Sequence, residues 1–251
     1  MAESARQAEE LSRFLGTIWQ GDDDVTPFDL ILAAMHVGGY AAVAKQNDEI
    51  VGASFGFLGS VSGESILHSH VTGASVAGAG LVLKQHQFKW AQEHELSAIT
   101  WTFDPLVRRN CVFNFEKLGA LAIEYLPNFY GTMTDVINAG DFSDRLFAYW
   151  PIEASVPSQA PIVEQVAVKN INGRPVFQAF NQQSAYWVEL PADIESLRKS
   201  DLDLAKQWRA TVREALHDPI ESGWFIRSIN KERTAILVEP ATSDYEFGEE
   251  E

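Results

Sequence analysis

Cysteine, basic residues and long hydrophobic runs are scarce in this chain, and each scarcity excludes a class of protein. Cys111 is the one cysteine in 251 residues, so no disulfide can form within the chain, which is typical of a reducing compartment. Lys and Arg number 19 against 35 Asp and Glu, and the formal charge of −16 argues against nucleic acid or an anionic membrane as a partner. No uncharged apolar run reaches about 18 residues, so we expect no membrane span. We therefore predict a cytoplasmic protein that acts on a small molecule.

The hydrophobic pattern predicts two N-terminal helices, followed by elements in the order β, β, β, α, β, α, β, β and then by a smaller β-α-β segment. This order predicts an α/β fold with a mixed sheet. The segment 154–161, ASVPSQAP, has the composition of a linker. We therefore expect a core over residues 1–153, a C-terminal α/β extension over 162–243 that packs on the core, and an acidic tail over 244–251.

Several short motifs resemble one superfamily. The order HSHV (68–71), ITWTFDPL (99–106), FNFEKLGA (113–120), YLPNFYG (125–131) and SDRL (143–146) is similar to the GNAT superfamily of acyl-CoA-dependent N-acyltransferases. More narrowly, it resembles an uncharacterised bacterial branch of predicted acetyltransferases. The resemblance implies a GNAT-like core, acetyl-CoA or another acyl-CoA as co-substrate, and no metal. It also implies direct acyl transfer to a small amine or amino-acid-like metabolite in a ternary complex, and it is compatible with a homodimer.

In that superfamily, the loop after the fourth strand holds the CoA pyrophosphate with backbone N–H groups at a helix N-terminus. By resemblance, this loop contains Ser75, Gly78, Ala79 and Gly80, with Ser75 where the superfamily has Arg or Gln. A charge-assisted hydrogen bond contributes roughly 1.5–3 kcal/mol, so the loss of the cation weakens such a site by about ten- to a hundredfold. Alternatively, the glycines only allow a tight strand-to-helix turn.

His68 and His70 alternate along a predicted strand, so we expect both rings on one face together with Thr72. One histidine could be the general base that deprotonates an acceptor amine, or the two could form a hydrogen-bonded structural pair. A metal site is less favoured, because the sequence places no third ligand. The resemblance implies that the backbone at Val71 polarises the acyl carbonyl and that Asn110 contacts the pantetheine arm.

Other candidates are polar residues near strand ends and in loops. Asp104 follows a strand and could be an active-site carboxylate or a helix cap. Asn128 lies in a loop-rich region, where sites tend to occur. Phe115 occupies the position at which superfamily members often carry a tyrosine acid, so Tyr130 is a candidate replacement acid, or it shapes the acceptor pocket. Arg145 could bind a substrate carboxylate or lock its loop.

The same departures from the superfamily support a second hypothesis. The missing loop cation, the missing tyrosine and the lack of a predicted strand before the first helix favour a GNAT-fold protein with weakened or lost CoA binding, repurposed for another small-molecule reaction or for binding only. A third possibility is an assembly protein that uses its seven tryptophans and acidic tail. Arg209 and Arg213, one helical turn apart, fit either a carboxylate clamp or a solvated helix face.

Overall fold

The computed structural model describes residues 1–19, 26–131, 141–153, 162–181 and 183–241. The chain divides into two compact units, one made of Met1–Trp101 and Pro151–Glu153, the other of Thr102–Trp150 and Ala154–Glu251. The predicted linker 154–161 and the predicted tail 244–251 lie outside the described residues. The division of the chain at this linker into a core and a C-terminal extension therefore stays a prediction.

The first unit contains two helices followed by a hairpin and a strand-loop-helix segment. Its elements are α1 (Ala5–Trp19), α2 (Phe28–His36), β1 (Tyr40–Gln46), β2 (Glu49–Val61), β3 (Glu64–Ala74), α3 (Ala79–Glu93) and the first part of β4 (Ala98–Phe103). The strands lie in the order β1-β2-β3-β4, antiparallel up to β3, and β4 runs parallel to β3. Asn47 and Asp48 both have positive φ and form the turn between β1 and β2.

Side chains of β2 alternate between two differently packed faces. Phe55 belongs to the hydrophobic cluster that includes Leu11 of α1 and Ile31 of α2. The neighbouring Ser54 bonds to Gln87 of α3 instead. β1 is the first strand of the sheet order, and the N–H of Ala2, a residue before α1, donates to the carbonyl of Ala41 in β1 at 2.8 Å.

β3 carries a bulge at the point where it leaves β4. The register with β2 passes from the Phe57–His68 pair to the Phe55–Val71 pair, which gives β3 one extra residue. The parallel ladder between β3 and β4 ends at the His68–Thr100 pair, whereas β3 continues to Ala74. The bulge thus begins where the ladder with β4 ends.

The second unit contains a sheet with the strand order β6-β5-β10-β11-β9-β7-β8. Its elements are α4 (Arg108–Cys111), a π-helical segment (Val112–Leu118), β5 (Leu121–Leu126), β6 (Arg145–Pro151), β7 (Val166–Ile171), β8 (Arg174–Phe177), β9 (Tyr186–Glu189), α5 (Ile194–Ser200), α6 (Leu202–Glu221), β10 (Phe225–Ile229) and β11 (Ala235–Glu239). Parallel and antiparallel pairs both occur, so the predicted mixed α/β class is confirmed. No helix in the described part of the chain has the length and apolar character that crossing a membrane requires.

Gly56 provides a test of the packing opposite the bulge. A Cβ at this buried position would lie 2.8 Å from the carbonyl oxygen of His68 and 3.0 Å from Leu67 Cδ1. We expect Gly56→Ala to lower the free energy of unfolding by about 1–3 kcal/mol, measured by urea titration, because the backbone of β3 must move. Gly59→Ala is the control, since its Cβ meets only the end of the Ile66 side chain at 3.3 Å. Equal losses of unfolding free energy in the two variants would contradict the close packing of Gly56 against β3.

Candidate functional site

The predicted glycine loop connects β3 to α3 and is open. Gly78 is exposed, has φ 88°, and is the N-cap of α3 without a side-chain hydrogen bond to the helix. A Cβ at Gly78 or at Gly80 would meet nothing within 4 Å. Ala79 begins the helix and is buried, whereas the exposed Ser75 donates its hydroxyl to the carbonyl of Val51 at 3.3 Å. The positive φ shows that the turn requires glycine, and the empty space leaves both glycines accessible to a ligand.

The two predicted histidines lie in a cluster of four rings. The ring centroid of His68 is 5.1 Å from that of Phe57, and His70 lies 5.9 Å from Phe57 and 6.2 Å from Phe55. His68 Nδ1 is 3.0 Å from the hydroxyl of the buried Thr100. His70 is exposed, whereas His68 is partly buried.

Both imidazoles are kept neutral near pH 7. Burial, followed by the charges of His70 and Lys84, lowers the pKa of His68 to about 4. Burial also lowers the pKa of His70. Since a neutral imidazole can accept a proton, both groups have the charge state that a general base needs, and His70 has the greater access to solvent.

Thr72 does not share the face of the two histidines. Its hydroxyl lies 2.7 Å from that of Ser54, which in turn bonds to Gln87 of α3. The prediction of a common face was wrong because the bulge adds a residue between His68 and Val71, which breaks the strict alternation of side chains. Val71 stays in the hydrophobic core on the side of α1.

A buried polar network beneath the bulge was missed by the sequence analysis. Lys84 Nζ donates to Ser69 Oγ at 2.9 Å, and Ser69 Oγ donates to Gln87 Oε1 at 3.1 Å. Gln87 Nε2 donates to Ser54 Oγ at 2.9 Å, and Ser54 Oγ donates to the carbonyl of Val71 at 3.3 Å. Polar residues three apart on one helix, opposite serines in apolar strands, were the available signal. The network connects both sides of the bulge to α3.

Lys84 is the charged member of this network. It is 5% exposed, and its ammonium lies 3.8 Å from the ring centroid of Trp101. Burial lowers its pKa to about 7. No ion pair found among the described residues includes it. A buried ammonium of this kind is costly, so its presence calls for an explanation.

In the second unit, Asp104 belongs to a buried ion cluster. Its carboxylate accepts two hydrogen bonds from Arg209, each at 2.8 Å, and one from Arg198 at 2.5 Å. It also accepts the N–H of Leu106 at 2.9 Å, as a cap would. Burial alone would raise the pKa of Asp104, but the charge and hydrogen bonds of Arg209 outweigh burial and hold that pKa well below its usual range. The carboxylate oxygens of Asp104 thus bind two arginines of the same chain.

Asn128 shapes the loop after β5. It has φ 48°, its N–H donates to Asp144 Oδ1 at 2.9 Å, and its side-chain oxygen accepts from Ser143. Asp144 also accepts from Tyr125 at 2.6 Å and, at 2.5 Å, from Arg213. The solvated helix face considered for Arg209 and Arg213 is wrong for Arg209, which is 1% exposed, and the carboxylates that the two arginines bind belong to this chain.

Tyr130 and Arg145 lie together. The Arg145 guanidinium is 5.2 Å from the ring centroid of Tyr130 and donates to the carbonyl of Asp144 at 2.9 Å. Tyr130 is 45% exposed, and its hydroxyl is 2.9 Å from that of Thr102. Arg145 is only 8% exposed, so these contacts support the loop-locking alternative for Arg145.

The helix after β4 brings the remaining candidates into place. Asn110 lies in α4 and is partly exposed. Cys111 is buried, and burial raises the pKa of its thiol, which donates to the carbonyl of Pro105 at 3.3 Å. Phe115 is buried against Phe103, with ring centroids 5.8 Å apart. Phe115 thus acts as a core residue and supplies no proton.

The second unit also contains a cavity of about 570 Å³, lined by parts of α4, the π-helical segment, α5 and the β10–β11 turn. None of the residues predicted from the sequence lines it. Among the described residues, no group of three His, Cys, Asp or Glu side chains is arranged to hold a metal ion.

No protein-family model and no curated protein sequence matches the chain. Among solved structures, it is similar to aminoglycoside 6'-acetyltransferase type Ii, with 18% identity and a TM-score of 0.47 over 61% of this chain and 95% of that chain. It is similar to ribosomal-protein-alanine N-acetyltransferase from Brucella melitensis, with 14% identity and a TM-score of 0.48 over 60% of this chain and 98% of that chain. It is also similar to Arabidopsis thaliana Naa50 with a bisubstrate analogue, with 19% identity and a TM-score of 0.47 over 59% of this chain and 95% of that chain. At such identities the likeness concerns the fold and assigns no substrate to this chain.

The contacts of Asp104 generate a prediction. Asp104→Ala leaves two buried guanidinium groups without this carboxylate, so we expect the free energy of unfolding to fall by about 3–5 kcal/mol in denaturant titrations. Glu116→Ala removes an exposed pair with Arg233 and is the control, for which we expect little change. Equal effects in the two variants would contradict a structural role for Asp104.

Proposed function

We propose that this chain is an acyl-CoA-dependent N-acyltransferase that acts on a small amine or an amino-acid-like metabolite. The observation that carries the proposal is the end of the β3–β4 ladder at the His68–Thr100 pair, while β3 continues to Ala74 and then enters the open glycine loop of α3. A strand that leaves its neighbour frees backbone groups for a ligand, and the helix N-terminus beyond it favours an anion.

The first unit supports a division of roles among the predicted residues. The open loop, with Ser75, Ala79 and the glycines Gly78 and Gly80, has room for a phosphate-bearing co-substrate, because a Cβ at either glycine would meet empty space. The backbone at Val71, just after the bulge, would polarise the acyl carbonyl. An acyl-CoA would supply the activated acyl group when bound.

His70 is the better general base of the two histidines. It is exposed, and its lowered pKa keeps it neutral, whereas His68 is held by Thr100 and is an even weaker base. In the proposed step, the acceptor nitrogen forms a bond to the acyl carbon while the carbon–sulfur bond breaks. The amine proton passes to His70, which later releases it to water, and the thiolate that leaves takes a proton from water.

The roles of the residues in the second unit stay predictions. Tyr130 as the acid, Asn110 at the pantetheine arm, and substrate binding by Asn128, Asp104 or Arg145 were all inferred from the sequence. The contacts described above favour structural roles for Asp104 and Arg145.

A second candidate function is supported by two of the observed contacts. Ser75 directs its hydroxyl to the backbone of β2, and Phe115 is buried in the core. Neither supplies the cation or the acid found at these positions in the superfamily. A protein that keeps the fold but binds CoA weakly, and that catalyses another small-molecule reaction or only binds a metabolite, is consistent with these contacts.

Calorimetric titration with acetyl-CoA and succinyl-CoA tests the first function. We expect Gly80→Asp to weaken binding by roughly tenfold or more, because a carboxylate would face the pyrophosphate. Its melting temperature should not fall, since the position is open and an acid is favourable in the first turn of a helix. Gly80→Ala is the control for the added side chain. The proposal fails if the parent protein binds neither compound, or if Gly80→Asp binds as tightly as the parent.

Ser75→Arg tests the same loop in the opposite direction. Because an exposed arginine there restores a charge-assisted hydrogen bond, we expect acetyl-CoA to bind about tenfold more tightly in the same titration. Ser75→Gln, which restores a hydrogen-bond donor without charge, separates charge from hydrogen bonding. Unchanged affinity in the arginine variant would place the pyrophosphate away from this loop.

A further inference from the structure

Lys84 is a costly group to bury. Its buried side chain bonds to Ser69 of β3 and lies over the Trp101 ring of β4. Stability alone does not account for this arrangement, because an apolar side chain of similar length would avoid the desolvation of an ammonium. The lowered pKa of Lys84 reflects that cost.

What Lys84 contacts indicates what it does. Ser69 is one of the residues of β3 that lie inside the bulge, between the His68 and Val71 pairs. From Ser69 the hydrogen bonds continue through Gln87 to Ser54, which bonds to the carbonyl of Val71. The network therefore fixes the strand on both sides of the bulge, at the place where the ladder with β4 has ended.

A strand segment without one neighbour needs another restraint to keep its peptide groups in one orientation. Along β3 beyond His68, the antiparallel pairs with β2 supply part of that restraint. The bonds from α3 supply the rest, and those of Lys84 and Gln87 reach the bulge directly at Ser69. Preorganised donors of this kind contribute to catalysis because they need not reorient during the reaction.

We propose that Lys84 is a positioning residue for the acyl transfer: its bond to Ser69 holds the β3 bulge so that the backbone at Val71 is oriented to polarise the acyl carbonyl. This inference rests on the proposed function for its catalytic part. Its structural part, the restraint of the bulge, concerns the protein without any ligand.

The first experiment uses the ligand-free full chain and measures amide hydrogen exchange. Lys84→Met keeps the length of the side chain and removes its charge and donors. We expect the amides of residues 69–72 to exchange roughly tenfold faster, because one hydrogen bond to the bulge is lost. The melting temperature should rise by about 4 °C, because a buried charge is removed. A residue with only a stabilising role would lower the melting temperature when replaced.

Lys89→Met is the matched control, since Lys89 lies on the same helix with its side chain 77% exposed. It should leave exchange in the bulge unchanged. Ser69→Ala removes the hydroxyl that accepts from Lys84 and also bonds to Gln87, and it serves as a second variant if Lys84→Met does not fold. It should produce the same faster exchange, and the two substitutions together should not be additive. Exchange at the parent rate in Lys84→Met, or in Ser69→Ala if the first variant is unfolded, overturns the proposal.

The second experiment measures acetyl transfer from acetyl-CoA to a panel of amino acids. We expect kcat of Lys84→Met to fall by about ten- to a hundredfold with little change in KM for acetyl-CoA. The reason is that a misoriented backbone at Val71 stabilises the transition state less well, while the binding of acetyl-CoA is little affected. Unchanged kcat overturns the catalytic part. If the parent protein transfers no acetyl group but the bulge loosens in the variant, the proposed function fails while the restraint by Lys84 stands.

Discussion

The candidate site depends on one constraint: β3 must leave β4 without losing its own shape. A strand that gives up a neighbour loses a row of backbone hydrogen bonds, and the chain replaces them with contacts from other directions. β2 pairs with β3 on one side, and a bulge begins where the ladder with β4 ends. Side chains of α3 then bond to the strand at Ser69 and, through Ser54, at Val71. The polar interior of the first unit therefore lies beneath the site.

The bulge also separates two chemical environments along one short strand. His68 and His70 contact the phenylalanines of β2, where burial keeps the imidazoles neutral. Thr72 lies instead with the hydroxyl and amide groups that face α3. Ordinary alternation places the histidines and Ser69 on opposite faces, and the extra residue puts Thr72 on the same face as Ser69. This arrangement suits a direct transfer, which needs a fixed donor and a base but no covalent enzyme intermediate.

The two units bury charge in different ways. In the second unit, Arg198 and Arg209 share the carboxylates of Asp104 and Asp141, so each charge has an opposite partner within hydrogen-bond distance. In the first unit, the amine of Lys84 instead contacts two neutral groups, the hydroxyl of Ser69 and the ring of Trp101. Paired ions offset their desolvation by mutual attraction, whereas a buried ammonium with neutral partners does not. This difference distinguishes a structural cluster from a group whose burial points to another role.

Up to β6, the sequence determined the order of the elements and the glycine loop before α3, because local periodicity and turn chemistry encode such features. Beyond β6, three strands, two helices and two strands occur where a β-α-β segment was predicted, because short strands carry a weak periodic signal. Tertiary structure alone decided which side chains distant in sequence bond to each other, as Asp104 and Arg209 do across a separation of 105 positions. It also decided the face of Thr72, because a bulge changes strand alternation without a local signal, and the burial of Lys84, because a helix position shows its environment only after the sheet has packed against it.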